Sequence, residues 1–189
     1  MSQFVGISIW GALVLSSFAA LALHSFQPGQ SANAPLSQAA AKKPMLIVFA
    51  HPECPCTMAT IEQLDHIAAD CYDHVDLKLV VYLPAKFEEK WTQGRLCQRA
   101  SSIHGLTIER DEDGRIAKSY GVTTSGQTLL YSREGKLVFS GGITSERGHE
   151  GQSDGQDAIE NYINEGRITR ATAPVFGCSL ITEERVPSQ

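Results

Sequence analysis

Two cysteines separated by one residue lie between an apolar run and a helical pattern, and this junction constrains the fold most. The run Met45–Ala50 is short and continuously apolar, which is typical of a strand buried on both faces. The segment 57–72 carries apolar residues at helical spacing and predicts an amphipathic helix. Cys54 and Cys56 therefore lie where a buried central strand leads into a helix.

This position favours a reactive thiolate at Cys54. Proline is favoured at the first helical position, and Pro55 at that position would make Cys54 the N-cap. A sulfur on the cap lies beside free backbone N–H groups and the positive end of the helix dipole. These favour the thiolate, which is the nucleophile of disulfide exchange. A protonated His51 would add to this effect, and Glu53 would oppose it.

The one-residue spacing strains any disulfide between the two cysteines. A Cys-x-Cys disulfide closes a smaller ring than Cys-x-x-Cys and departs from relaxed geometry, which makes it easier to reduce. A strain of about 3 kcal/mol would move the couple by tens of millivolts toward the oxidising side, at about 30 mV per 1.4 kcal/mol. Either Cys54–Cys56 is a labile catalytic disulfide, or one of the two pairs with a distant cysteine. Two incidental or buried thiols are the remaining alternative.

The segments before the first strand predict a membrane attachment and a connection. Residues 4–23 carry no charge and are long enough to cross a bilayer, so we expect residues 1–23 to be a transmembrane anchor or a signal segment. We expect the main domain on the extracytoplasmic, periplasmic side of the cell membrane, because an exchange-active cysteine pair suits that compartment. Residues 24–44 are rich in Ser, Gln, Ala and Pro without periodicity and predict a flexible linker. The net charge of −5 and the lack of a basic cluster argue against a nucleic-acid partner.

The remaining chain predicts a sheet with parallel and antiparallel strands. Strand-like runs follow the first helix at 75–83, 106–109, 127–132 and 136–141. Further helices are expected at 87–103, 116–120 and 154–166. The succession of strand, helix and strand implies a right-handed parallel crossover, and the last two runs form an antiparallel hairpin around a glycine turn.

Six short motifs follow one another along the chain. They are His-Pro-x-Cys-Pro-Cys, Asp-Glu-Asp-Gly, Thr-Ser-Gly, Phe-Ser-Gly-Gly-Ile-Thr, Gly-His-Glu-Gly and Val-Phe-Gly-Cys. With the predicted elements over residues 45–166, they resemble the thioredoxin-like superfamily. Within it the chain resembles TlpA-type membrane-tethered thiol-disulfide oxidoreductases, and more narrowly bacterial RedB-like proteins. The resemblance implies an α/β, three-layer thioredoxin-like fold, whose mixed sheet joins a parallel βαβ unit to an antiparallel hairpin with flanking helices.

The resemblance also implies an activity and its residues. Cys54 would attack and Cys56 would resolve in thiol-disulfide exchange with a protein or a small thiol or disulfide, without a cofactor. Ser125 and Gly126 would bind the substrate, because they fall in the loop whose backbone faces an extended substrate in thioredoxins. Gly126 stands where that family has a cis-proline. The proline is associated with hindering metal capture, so its replacement leaves metal binding open as an alternative.

Two further cysteines have no predicted catalytic role. Cys71 falls on the apolar face of the first helix and is expected to be a small buried hydrophobe. Cys97 lies one position off the apolar side of the second helix and is either free or paired.

The fifth cysteine, Cys178, belongs to the tail 167–189. It lies in an apolar island, and we expect the tail to dock back on the domain through residues 175–181. If the island docks near the helix start, Cys178 resolves Cys54 or Cys56 and avoids the strained short ring. A static disulfide with Cys71 or Cys97, or a free thiol, are the alternatives.

The chief alternative function is the handling of copper. His51, Cys54 and Cys56 offer soft ligands that suit Cu(I) or another thiophilic metal. A peroxidase in which Cys54 attacks peroxide ranks third, because the sequence shows no marker of a pocket that stabilises the leaving oxygen.

Overall fold

The computed structural model describes residues 2–71, 73–84 and 94–180. Within these ranges the elements are α1 Ser2–Ser25, β1 Met45–Ala50, α2 Thr57–Cys71, β2 Asp76–Leu83, α3 Arg95–Ser101, β3 Leu106–Glu112, α4 Arg115–Ser119, β4 Thr128–Tyr131, β5 Leu137–Gly141 and α5 Asp154–Glu165. The first part of the predicted second helix, 87–103, lies outside the described residues, and α3 is its described part.

The five strands form one mixed sheet in the order β3-β2-β1-β4-β5. β1 is central and pairs in parallel with β2 and antiparallel with β4. β3 extends the parallel side, and β5 pairs antiparallel with β4 at the other edge. This confirms the predicted α/β fold with its βαβ unit and hairpin. β3 is longer than the predicted 106–109, because its pairing with β2 continues to Leu83 and Glu112.

Both faces of β1 are covered by packed side chains. Leu46, Val48 and Ala50 pack into the cluster that contains the apolar sides of α2, α3 and α5. Ile47 and Phe49 point to the opposite face and pack with side chains of β4 and α4. Each aliphatic or aromatic side chain buried in this way stabilises the fold by about 1.5–3 kcal/mol. The burial fixes the end of β1 at Ala50, where the cysteine turn begins.

The helix after β1 begins at Thr57, as its periodicity predicts, and not at Pro55, the residue predicted for the first helical position. α2 starts at Thr57, whose N–H donates to the Cys54 carbonyl at 3.0 Å, and the Cys54 N–H donates to the His51 carbonyl at 3.1 Å. The chain therefore makes two successive tight turns before the helix. Cys54 lies three residues before the first helical residue and is not its N-cap. This corrects the predicted origin of its thiolate character, which has to come from other contacts.

The last helix has the ends that its sequence predicts. The Ser153 hydroxyl accepts a hydrogen bond from the Gln156 N–H at 3.2 Å at the start of α5. Gly166 ends the helix in the left-handed conformation, with φ 71°. The predicted helix 154–166 is confirmed.

The segment predicted to be a flexible linker is held against the domain. Its backbone N–H groups donate to domain carbonyls in the pairs Gly29 to Val175, Asn33 to Gly121, Gln38 to Gly135 and Ala41 to Arg133, at 2.7–3.2 Å. The Leu137 N–H on β5 donates in turn to the Leu36 carbonyl at 2.9 Å. The prediction for 24–44 is therefore corrected for residues 29–41. A segment without strand periodicity still pairs with β5, because β5 is an edge strand with unpaired backbone groups.

The N-terminal helix is apolar and stands apart from the core. Gly6–Ser25 within α1 is long and apolar enough to cross a membrane, and none of it is buried in the protein. A signal sequence near an N-terminus has the same length and composition.

The hydroxyl of Tyr131 on β4 offers a test of the held segment. It donates to the Pro35 carbonyl at 3.0 Å, and the Tyr131 side chain is fully buried. Burial, with a smaller contribution from Tyr120, raises the pKa of Tyr131 to about 12, so the hydroxyl stays a donor at neutral pH. We expect Tyr131→Phe to lower the free energy of unfolding by about 1 kcal/mol, because it leaves a carbonyl unpaired.

Urea denaturation followed by circular dichroism measures this change. Tyr162→Phe on α5 is the matched control, since the Tyr162 hydroxyl has no hydrogen bond to another described residue. Equal unfolding midpoints for the two variants would contradict a stabilising contact between residue 35 and β4.

Candidate active site

Three cysteines meet at the end of β1. Cys54 and Cys56 lie in the turn between β1 and α2, and Cys178 comes from the C-terminal tail. The three sulfurs lie within 4.8 Å of one another. The Cys54 and Cys178 sulfurs are only 3.0 Å apart, and all three residues are free thiols. The tail thus brings a third thiol to the pair predicted from the sequence.

A short antiparallel pairing holds the tail in this position. The Ser125 N–H donates to the Cys178 carbonyl at 2.9 Å, and the Leu180 N–H donates to the Thr123 carbonyl at 2.7 Å. Between these bonds, residues 124 and 179 form an antiparallel bridge. One of these backbone bonds is made by Cys178 itself and the other by Leu180, and together they fix the position of Cys178 relative to the cysteine turn.

Apolar burial adds to the docking of the tail. Val175, Phe176 and Leu180 are all buried, and Leu180 packs on the face of the sheet that contains Phe49. Gly177 lies so close to the loop before β4 that a Cβ atom would overlap the Ser125 carbonyl oxygen. The tail docks through residues 175–180, and residue 181 lies outside the described residues.

The Ser125 hydroxyl joins the cysteine turn to the loop before β4. It accepts a hydrogen bond from the His51 N–H at 2.9 Å and shares another with the Thr57 hydroxyl at 2.8 Å. Gly126 has φ 89° and donates its N–H to the Phe49 carbonyl at 2.7 Å. No peptide bond among the described residues is cis. The Ser125 and Gly126 N–H groups, predicted to face a substrate, are thus used within the chain.

Arg147 is the residue of this site that the sequence analysis missed. Its Nη1 donates to the Gly177 carbonyl at 2.7 Å, and its guanidinium also donates to the Cys56 sulfur. Its Nε is buried and has no hydrogen-bond partner in the part of the chain that the structure describes. A single arginine in an irregular loop follows no periodicity. Its one sequence signal is its place directly before the Gly-His-Glu-Gly motif.

Comparisons with known proteins bear on the fold. No family model and no curated protein matches the chain. A hypothetical protein from Sinorhizobium meliloti 1021 matches with a TM-score of 0.64 at 20% identity, over 80% of this chain and 97% of its own. An uncharacterized conserved protein from Geobacillus kaustophilus matches with a TM-score of 0.64 at 19% identity, over 86% of this chain and 99% of its own. A secreted disulfide oxidoreductase from Mycobacterium tuberculosis has a TM-score of 0.45 at 19% identity, over 65% of this chain and 81% of its own.

The fold is thioredoxin-like. In this thioredoxin-like domain the cysteine turn directly follows the central strand β1. The loop before β4 and the C-terminal tail lie beside this turn. The position agrees with the one that the sequence motifs indicate.

Hydrogen bonds favour the thiolate of Cys54. Burial alone would raise the pKa of Cys54, which is 4% exposed. Donors from the Thr57 hydroxyl, the Cys178 thiol and the backbone N–H groups of Cys178 and Cys56 outweigh it and hold the pKa of Cys54 below its usual value. Since Cys54 is the more acidic of the pair, Cys178 is the donor in the hydrogen bond between their sulfurs.

The other two thiols of the site are less acidic. Burial and the neighbouring Cys54 thiolate raise the pKa of Cys56, and the Arg147 hydrogen bond and charge oppose this rise. Burial and the hydrogen bond to Cys54 raise the pKa of Cys178 to about 12. The site therefore combines one thiol of lowered pKa with two thiols of raised pKa, which is the arrangement of a nucleophile beside two possible resolving groups.

His51 contributes differently from its predicted role. Its ring stacks on Tyr82 with centroids 5.4 Å apart, and its Nδ1 accepts a hydrogen bond from the Glu53 N–H at 3.2 Å. Burial lowers the pKa of His51 more than the Glu53 carboxylate raises it, so the ring is neutral at neutral pH. The positive charge beside the thiols belongs to Arg147.

The possible metal ligands also differ from the predicted set of His51, Cys54 and Cys56. Among the described residues, the close group of ligand atoms consists of the sulfurs of Cys54, Cys56 and Cys178. The tail supplies the third ligand, and His51 is not part of the group. Three thiolates form a soft site that suits Cu(I) or Zn²⁺.

The two remaining cysteines lie in the core. Cys71 is 1% exposed, which confirms that it is a buried residue of α2. Its burial, with a smaller contribution from the Glu160 charge, raises the pKa of Cys71 to about 11. Cys97 is buried on α3, and burial raises its pKa as well. Neither forms a disulfide with Cys178, since none of the five cysteines is in a disulfide.

Thr57 offers a test of the thiolate. Thr57→Val removes a hydroxyl that donates to the Cys54 sulfur, so we expect the pKa of Cys54 to rise and the thiolate fraction at neutral pH to fall. Titration of thiolate ultraviolet absorbance measures the change. The signal of Cys54 comes first on raising the pH, because the pKa of each other cysteine is raised.

Thr57→Ser is the matched control, because it keeps the hydroxyl at the same position. It should leave the titration close to that of the unmodified chain. An identical titration for Thr57→Val would show that this hydroxyl does not set the acidity of Cys54.

Proposed function

We propose that the chain is a thiol-disulfide oxidoreductase whose central group is Cys54. The observation that carries the proposal is the contact of the Cys54 sulfur with a second thiol, Cys178, at 3.0 Å, in surroundings that hold the pKa of Cys54 below its usual value. A thiolate beside a resolving thiol is the minimum that disulfide exchange needs. The thioredoxin-like fold and the placement of the turn after the central strand support this reading.

The exchange cycles the site between a dithiol and a disulfide. In the roles implied by the motifs, the Cys54 thiolate attacks an external disulfide, and one external sulfur leaves as a thiolate. A second thiol of the chain then attacks the Cys54 sulfur and releases the other external thiolate. Cys56 and Cys178 both lie close enough to act in this step. Cys178 closes a ring across 124 positions and so avoids the strain of the Cys54–Cys56 ring.

Cys54→Ser is the direct test of this function. Because Cys54 is the attacking thiol of the proposed exchange and takes part in both disulfides that would resolve it, Cys54–Cys56 and Cys54–Cys178, the substitution should reduce catalysed cleavage of insulin disulfides by dithiothreitol to the uncatalysed rate. Turbidity of the released insulin chain measures the rate.

Cys97→Ser is the control, since Cys97 is buried on α3 outside the cysteine group. It should keep most of the catalysed rate. Equal catalysed rates for the two variants would refute Cys54 as the central group.

We also propose that the protein is a TlpA-type, RedB-like oxidoreductase tethered to the membrane, with its domain on the periplasmic side. The apolar span Gly6–Ser25 and the exchange-competent cysteines support this placement. Its substrates would be proteins or small thiols and disulfides. Binding of an extended peptide by Ser125 and Gly126 would require the tail to leave, because the Ser125 N–H bonds Cys178.

Binding of Cu(I) is the second candidate function, favoured by the group of three sulfurs. If the group binds metal, the reduced protein should take up Cu(I) from a chromophoric chelator, and Cys178→Ser should weaken the uptake because it removes one of three thiolates. His51→Ala is the matched control and should leave the uptake unchanged. Loss of uptake in His51→Ala with full uptake in Cys178→Ser would restore the ligand set predicted from the sequence.

A further inference from the structure

The three thiols of the site differ in their access to solvent. As whole residues, Cys178 is exposed, Cys56 is half-buried and Cys54 is 4% exposed, and the Cys178 thiol group is itself partly buried. With the tail docked, an external molecule therefore meets Cys178 before it meets Cys54. This order is opposite to the one that the sequence motifs imply, in which Cys54 is the group that contacts the partner.

The docked tail is placed to form a disulfide with Cys54. The two sulfurs are 3.0 Å apart, and a disulfide bond of about 2.0 Å needs a closure of only about 1 Å. Three hydrogen bonds hold the backbone around Cys178: Arg147 to the Gly177 carbonyl, and the two backbone bonds of the loop 123–125. In the oxidised chain, Cys54 and Cys178 would then form a disulfide in which the Cys54 sulfur is buried and the Cys178 sulfur is the more accessible of the two.

We propose that an external thiol reduces the oxidised chain by attacking Cys178, so that the mixed disulfide forms on the tail and not on Cys54. The proposal rests on the proposed function and specifies its partner-contacting residue. The substrate class that it indicates is a small or flexible thiol, because such a thiol needs no pairing with the Ser125 N–H, which Cys178 already uses.

The accessibility of the two sulfurs supports this choice. A thiolate attacks a disulfide along the line of the two sulfurs, from the side opposite the leaving sulfur, so the attacked sulfur has to be within reach of the external thiolate. Attack on Cys54 would need access to a residue that is only 4% exposed. Attack on Cys178 needs access to an exposed residue. It also expels the sulfur whose thiolate is stabilised by Thr57 and by the backbone, and a more acidic thiol leaves faster.

The exchange balances in two steps. An external thiolate forms a bond to the Cys178 sulfur, the Cys54–Cys178 bond breaks, and Cys54 leaves as a thiolate with the electron pair. A second external thiolate then attacks the external sulfur of the mixed disulfide, and Cys178 leaves as a thiolate and takes up a proton. Two external thiols are oxidised to one disulfide, and the disulfide of the chain is reduced to two thiols.

The experiment uses the full chain with Cys56→Ser, which removes the competing short ring. The variant is oxidised, its disulfide is mapped by mass spectrometry, and it is mixed with limiting 2-mercaptoethanol. The sample is then quenched in acid and alkylated with N-ethylmaleimide. We expect a Cys54–Cys178 disulfide at the start, and after reaction a mercaptoethanol adduct on Cys178 with the maleimide on Cys54.

The other outcomes overturn the proposal in distinguishable ways. An adduct on Cys54 with the maleimide on Cys178 would refute the entry through the tail and leave the proposed function intact. Absence of a Cys54–Cys178 disulfide after oxidation would also refute it. If neither cysteine forms an adduct and the unmodified chain reduces no insulin, both the inference and the proposed function fail.

A second variant tests whether the docked tail shields Cys54. Gly177→Ala places a methyl group on the Ser125 carbonyl oxygen and should displace the tail, so that alkylation of reduced Cys54 becomes several-fold faster. Gly11→Ala is the matched control, because its methyl group meets no atom within 4 Å. An unchanged rate for a folded Gly177→Ala protein would show that the tail does not control access to Cys54.

Discussion

The backbone pairing of the tail with residues 123–125 is the interaction on which the site depends. It places the Cys178 sulfur 3.0 Å from the Cys54 sulfur, while the burial of β1 fixes the strand end from which the cysteine turn begins. Because the loop before β4 bonds both the turn and the tail, through the hydroxyl and the N–H of Ser125, one residue keeps the two halves of the site in register. The sulfur geometry is therefore a property of three chain segments and not of the Cys-Pro-Cys motif alone.

Uncharged hydrogen-bond donors, more than charged groups, lower the pKa of Cys54. Its thiolate accepts hydrogen bonds from a hydroxyl, a thiol and backbone N–H groups, and these outweigh the cost of burial. The charge of Arg147 acts instead on Cys56 and Cys178, where it opposes the effect of burial. The three thiols thus differ in pKa because their hydrogen-bond partners differ, although their sulfurs lie within 4.8 Å of one another.

Much of the fold could be predicted because its elements depend on local patterns. The buried run of β1, the hairpin of β4 and β5, and the capped α5 all follow from periodicity and turn residues. The held segment 29–41 and the part played by Arg147 could not be predicted. They depend on backbone hydrogen bonds and on a single guanidinium, between residues distant in sequence that leave no repeating pattern.

The attachment of residues 29 and 30 has a consequence for where the three thiols lie relative to α1. Gly29 bonds to Val175, and the Gln30 carbonyl accepts a hydrogen bond from the Thr124 hydroxyl at 2.9 Å, next to the loop that holds Cys178. Only three residues lie between Gly29 and the end of α1 at Ser25, so the four steps of the chain span at most about 14 Å. Where α1 is embedded as an anchor, the thiols operate close to the lipid surface. Partners that are themselves bound to the bilayer would then lie within reach of the thiols.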